Sequence, residues 1–311
     1  MVMENKISYT LGAGFSGHTD DNNHTTGEYL NIPRDLACIN RKNVDMVSRE
    51  GVPLNYHCRF TILRNPQDDT DISTTVSFLG AQSNWVTRNA SVKLHHAREK
   101  MFSNAGIRKS ERGRYDKTLR LNFDARSQTW VVPTLGDGSS VFTDLGEWDA
   151  SKVAIDDDPE LVPCLFGPVL SEESAVSGDT FNIQNAYLNS RRALETDDQV
   201  DADSSAPHSI LRSMVNIEDA VDDELQVIAQ DNQDQTPYDA EAVAGTFTSV
   251  TILGITQVGN LAQSMTTVDV TIPFGICSVA ITKQTADDDG GDMSGGIPIL
   301  CEVLGVSEMQ G

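Results

Sequence analysis

Thr246-Phe247-Thr248-Ser249-Val250-Thr251-Ile252-Leu253-Gly254-Ile255-Thr256-Gln257-Val258 and, a few residues on, Val268-Asp269-Val270-Thr271-Ile272-Pro273-Phe274 decide how this chain reads. Two further runs, Ile276 to Thr282 and Ile297 to Val306, complete the block. All are rich in Val, Ile, Thr and Phe and are bounded by Gly, Asn or Asp, the composition of buried strands. Val268, Val270, Ile272 and Phe274 alternate with Asp269, Thr271 and Pro273, so one face of that strand is apolar and the other wet. The chain therefore ends as sheet, and no loop in this block carries a cluster of His, Ser or Cys suited to chemistry.

Working outward, Leu54 to Leu63 alternates in the same way, with Leu54, Tyr56, Cys58, Phe60 and Ile62 on one face. Pro66 to Asp71 reads as a turn and Ile72 to Leu79 as a second strand, which predicts an antiparallel pair. Further short strands are expected at Ile7 to Leu11, Thr118 to Phe123 and Gln128 to Val132. Leu161 to Leu170, broken by Pro163 and Pro168, suits an edge strand or an extended arm.

The period changes between Asn89 and Ala105. Leu94, Ala97, Met101, Phe102 and Ala105 share one helical face, Asn89 or Ser91 is placed to cap the start, and Gly106 to end the helix. Ile183, Tyr187 and Leu194, with Asp179 as a cap, and then Leu211, Met214, Val221, Leu225 and Ile228 suggest more helices.

A chain of 311 residues can bury a large core without staples. No run is long and apolar enough for a membrane helix, and Met1 to Thr10 lacks the pattern of a signal peptide, so synthesis in the cytosol is expected. The five cysteines, Cys38, Cys58, Cys164, Cys277 and Cys301, have no close spacing; those in strand-like runs read as small buried hydrophobes.

The net charge of −23 is unevenly spread. Residues 1–135 carry 18 Lys and Arg against 14 Asp and Glu, while residues 136–311 carry 5 against 32. The second part repels phosphate and is not expected to wrap nucleic acid; the alternative is a salt-adapted or simply very soluble protein. The one basic patch runs from Trp85 to Arg126, and within it Arg108, Lys109, Arg112, Arg114 and Lys117 are the candidate contacts to an anionic partner or to the acidic half of a neighbouring copy. The bland reading of the same residues is a solvated face.

Motifs for chemistry are scarce. Gly12-Ala13-Gly14-Phe15-Ser16-Gly17 matches the dinucleotide fingerprint, but turn formers follow where the mechanism needs a helix, so it reads as a flexible glycine arm. His95 and His96 diverge by about 100 degrees on a helix and do not converge on a metal. Asp287-Asp288-Asp289-Gly290-Gly291-Asp292 has the composition of a calcium loop without its register, because the twelfth position is Pro298. No cofactor, metal or catalytic residue is expected.

Several phrases together resemble one family: Val92-Lys93-Leu94-His95-His96-Ala97-Arg98-Glu99-Lys100-Met101-Phe102 with Arg112-Gly113-Arg114-Tyr115-Asp116, then Asp223-Glu224-Leu225-Gln226 with Pro237-Tyr238-Asp239, and Ile299-Leu300-Cys301-Glu302-Val303-Leu304-Gly305-Val306. They look like the jelly-roll major capsid proteins of tailless icosahedral, membrane-containing single-stranded DNA bacteriophages. The resemblance implies a mainly β protein with two antiparallel jelly-roll sandwiches in tandem and a few inserted helices. It implies residues 1–50 as an N-terminal arm, 51–155 as the first jelly roll with a helix inserted near 89–105, and 156–311 as the second with helical insertions near 180–230.

The implied function is structural, not enzymatic: homotrimeric capsomers that self-assemble into an icosahedral shell in the host cytoplasm, with no small-molecule substrate. Implied partners are other virion proteins such as a vertex protein, and an internal membrane or genome reached through the N-terminal half. The residues themselves name nine or ten strands, enough for one jelly roll or for two with short strands. A receptor- or carbohydrate-binding β-sandwich of the cell surface is the competing reading, and an enzyme on a β scaffold, with a pocket of converging ionisable groups, is the other.

Overall fold

The structure, a computed structural model, describes residues 4–11, 23–64, 72–113, 117–124, 133, 148–153, 161–166, 180–184, 186–187, 250–259, 265–285 and 296–310. It is mainly β. The strands are β1 Lys6–Leu11, β2 Asn23–Asn31, β3 Leu54–Leu63, β4 Ile72–Gly80, β5 Val162–Cys164, β6 Thr180–Asn182, β7 Thr251–Val258, β8 Met265–Pro273, β9 Ile276–Thr285 and β10 Ile297–Glu308. The helices are α1 Ile32–Asn40 and α2 Trp85–Asn104. Eight strands form two four-stranded antiparallel sheets, ordered β1-β10-β3-β8 and β2-β9-β4-β7.

The alternation seen in the sequence is the reason the sheets stack. Ile7, Tyr9 and Leu11 of β1, Tyr56, Cys58, Phe60 and Ile62 of β3, and Ile297, Ile299 and Cys301 of β10 all point inward and are buried. They meet Val76 and Phe78 of β4 and Cys277, Val279 and Ile281 of β9 from the other sheet. The Phe60 and Phe78 rings stack at 4.3 Å between centroids, joining the layers. Cys58, Cys277 and Cys301 are free thiols in this core, and burial pushes Cys277 and Cys301 well above the ordinary thiol range, so they serve as apolar filler.

Several expectations are corrected. β3 and β4 do not pair with each other; they lie in opposite sheets and face each other across the core. The division into one sandwich over 51–155 and another over 156–311 is not how the described strands group, because β3 is hydrogen-bonded to β8 and β10, and β4 to β7 and β9. Among the described residues there is one eight-stranded sandwich, assembled from both halves of the sequence. The described residues of the 1–50 segment are not an arm either: β1, expected at Ile7 to Leu11, and β2 are edge strands of the two sheets, and α1 packs its Ile32 and Leu36 into the same core.

Near 180, Thr180–Asn182 is a short strand parallel to β5, and where a helix is expected from Ile183 the described residues Ile183, Gln184, Ala186 and Tyr187 are helical. Leu119, Leu121 and Phe123 are buried as their alternation requires, yet the segment joins no sheet as a strand: it forms an isolated bridge from Asn122 to Cys164, with backbone bonds to Ser151, Pro163, Leu165 and Phe166. The Gly12–Gly17 motif, the strand expected over Gln128 to Val132, the helices expected beyond Tyr187 and the acidic loop at Asp287 lie outside the described residues.

Two details lock α1 against the sandwich. Asn31 caps it, its Oδ1 accepting from the Arg34 N–H at 3.0 Å. The hairpin between β8 and β9 turns on Phe274 and Gly275, with φ of 58° and 70°, and the Gly275 carbonyl accepts from the Ile32 N–H at 2.9 Å. A Cβ on Gly275 would sit 2.6 Å from Pro33 and 2.8 Å from Tyr56. Only glycine meets both demands.

Beside this junction the core holds a buried polar group of three. The Tyr9 hydroxyl donates to Asp35 at 2.6 Å and the Arg34 Nε donates to the other Asp35 oxygen at 2.8 Å. Burial pushes the Asp35 carboxyl up to about 6, against the opposing pull of Arg34 and Tyr9.

Candidate functional site

The basic patch is built on α2. Asn84, not Asn89 or Ser91, caps this helix, accepting from the Thr87 N–H at 2.9 Å. The expected end holds: Gly106 has φ of 73°, and the N–H groups of Gly106 and Ile107 bond back to Ser103 and Phe102. The buried face is not the expected one. Val86, Ala90, Ser91, His95 and Arg98 turn inward, with Ser91 donating to the Gly51 carbonyl at 2.7 Å and His95 covering Gly51. Leu94 and Ala97 instead line a cavity of about 170 Å³ shared with Phe181, Ile183 and Tyr187. The small Ser91 and Gly51 allow close approach, which a search for large apolar residues does not detect.

The loop after α2 folds back on it through Glu99. Lys109 reaches one Glu99 oxygen at 3.5 Å, and Arg112 donates to the other. Arg112 also lies over the Phe102 ring at 4.2 Å, with Arg98 4.7 Å from the same ring. Burial alone would raise the Glu99 carboxyl; the bond from Arg112, with the charges of Arg112 and Lys109, holds it below the ordinary range. Of the five candidate contacts, Lys109 and Arg112 are therefore engaged within the chain. Arg108 and Lys117 are exposed, and Arg114 lies outside the described residues. Deeper in the patch, Arg120 is buried, stacked 4.2 Å from Trp148 and bonded to Asn43 at 3.3 Å.

A second charged feature escaped the sequence reading. On the outer face of the β1-β10-β3-β8 sheet, strand register places Lys6, Glu302, Arg59 and Asp269 in one row across all four strands. Lys6 lies 3.8 Å from Glu302, and Arg59 makes two bonds to Asp269, at 2.8 and 3.0 Å. The bond and charge of Asp269 raise Arg59, and the bond from Arg59 lowers Asp269. In the next row His57 bonds Thr271 at 3.1 Å and Ser307 at 2.8 Å. The outer face of the other sheet differs: its rows Tyr29-Ser278-Leu79-Ile252 and Gly27-Ala280-Ser77-Ile255 carry no charge. Alternation marks Arg59 and Asp269 as outward-facing, but nothing local says that they meet.

Among the described residues no group of three or more His, Cys, Asp and Glu side chains is placed to hold a metal ion. No helix among them is long and apolar enough to cross a membrane. Compared with known protein families, with curated proteins and with solved structures, the chain matches none.

Proposed function

We propose that this chain is a structural shell protein, a viral major capsid protein whose core is a single jelly roll. The observation that carries the reading is the nesting of its strand pairs. β1 pairs with β10, β2 with β9, β3 with β8 and β4 with β7, as in one long folded ribbon. Rolling that ribbon brings β10 onto β3 and β9 onto β4, which are the remaining pairs. Two Greek keys wound into eight strands have this order, and the architecture serves viral capsids as well as lectins and cupins.

The two sheets form the wall, and α2, which follows β4, lies in a layer beside it. Exposed Arg108 and Lys117 are the members of the basic patch offered to the acidic surface of a neighbouring copy. Each exposed pair contributes about 0 to 1 kcal/mol, so a shell built this way relies on many such contacts acting together.

Solution mass measurement and negative-stain microscopy of the purified full chain test the proposal. Trimers that close into particles of uniform size support it. A monomer that stays monomeric at high concentration and binds glycan arrays supports the receptor- or carbohydrate-binding alternative instead.

A further inference from the structure

We infer that the outer face of the β1-β10-β3-β8 sheet is a contact surface for a second copy of this chain, related by a two-fold axis that runs just outside that face, parallel to the strands and over the line between β10 and β3. The inference deepens the shell reading by naming one surface through which copies meet, and it takes the identity of the partner from that reading.

The argument is the sign order of the charged row. Across the sheet it runs Lys6, Glu302, Arg59, Asp269, that is plus, minus, plus, minus. Turned over about the proposed axis, the row presents the opposite sign at every position, so Glu302 faces Arg59 of the second copy and Lys6 faces its Asp269. The other axis parallel to the face, perpendicular to the strands and along the row, sets Lys6 against Lys6 and Glu302 against Glu302, which like-charge repulsion disfavours. A surface that complements itself in one orientation and repels itself in the other is suited to an isologous contact. Two twisted sheets stacked at about 30 degrees still keep their central strands together, so Glu302 and Arg59, nearest the axis, are the closest pair.

Apolar side chains on the same face supply what charge does not. Leu63 and Met265 pair across β3 and β8 and are 42% and 63% exposed, and Leu300 and Leu304 of β10 are 38% and 50% exposed. In the next row Leu300 stands opposite Thr61 of the second copy. The face measures roughly 20 by 25 Å, or about 500 Å² per copy, below the roughly 800 Å² of a standard stable interface. The contact is therefore a weak, reversible one of the kind an assembling shell multiplies.

The test uses two double variants of the full chain, with wild type alongside. K6E/R59E makes the row wholly negative and E302K/D269K makes it wholly positive. All four side chains lie on the outer face, and circular dichroism checks that each variant folds. Sedimentation of wild type at up to roughly 1 mM is expected to reveal two-fold association that weakens severalfold as salt rises from about 0.05 to 0.5 M. Each double variant alone is expected to associate at least tenfold more weakly, and an equimolar mixture to recover association to within about threefold of wild type.

Variants that self-associate as wild type does, a mixture that fails to recover, or wild-type association indifferent to salt overturns the inference. The salt arm stands even if a variant fails to fold. Particles formed as readily by K6E/R59E as by wild type would sink this face and leave the shell reading intact. Two-fold association with neither trimers nor particles would do the reverse.

Discussion

Inside the sandwich, Ile7, Phe60, Phe78, Ile281 and Ile299 pack as apolar side chains, whereas the layer around α2 buries Ser91, His95, Arg98 and Arg120 and joins its loop through Glu99. The first region is held by shape and apolar area, which act without direction. The second is held by directed contacts, with Arg98 and Arg112 on Phe102 and Arg120 on Trp148. On the shell reading proposed above, the first kind suits the wall and the second a surface that meets partners. The two regions should therefore respond to different perturbations.

The largest expected effect lies in the sandwich. Gly275→Ala forces a Cβ into Pro33 and Tyr56 at a positive φ, and it should destabilise the chain by about 3 kcal/mol in chemical denaturation. A loss below about 1 kcal/mol would mean that the β8–β9 hairpin yields and the wall is softer than its packing implies.

Asp35 is a charged exception inside the apolar region, and it sharpens the comparison. Because burial raises its folded pKa to about 6, its contribution is fully present below the unfolded carboxylate range and is lost as pH rises through about 6. Stability should fall by about 2 kcal/mol between pH 4 and 7 on this account. His95, held low first by burial, works in the opposite direction in part of that window. The measurement is therefore the difference between wild type and Asp35→Asn, which should lack the slope while losing a partner for Arg34; parallel pH profiles would remove Asp35 as the cause.

The smallest effect is expected in the α2 layer. Glu99→Ala frees the loop bearing Lys109 and Arg112, should reduce stability by about 1 kcal/mol, and should matter less in high salt. Equal losses at low and high salt would show that packing of Arg112 on Phe102, not charge, holds the loop.

The difference between the regions also governed what could be read in advance. Strict alternation marked β3, β8 and β10 and their inward faces, since a period of two has few other meanings. α2 was found, but its buried side was misread: apolar spacing pointed to Leu94 and Met101, while the actual contact relies on Ser91 and on the absence of a side chain at Gly51. β1 was read as a strand at Ile7 to Leu11, but β2 and α1 were passed over as an arm, because an edge strand next to a glycine-rich stretch carries little local signal. Arg34 and Asp35 gave no hint of burial, because adjacent opposite charges read as surface until Tyr9 arrives from another strand.

By itself the sequence determined most strands of the two sheets, which faces of them are apolar and that the thiols in them are structural, since these follow from the spacing of neighbours along the chain. Only the tertiary structure decided that β3 and β4 belong to opposite sheets, that both halves share one sandwich, and that Lys6, Arg59, Asp269 and Glu302 stand in one row. Those outcomes are set by pairing register between strands up to some three hundred residues apart. Register is chosen by the sum of contacts over the whole sheet, a quantity that no local stretch contains.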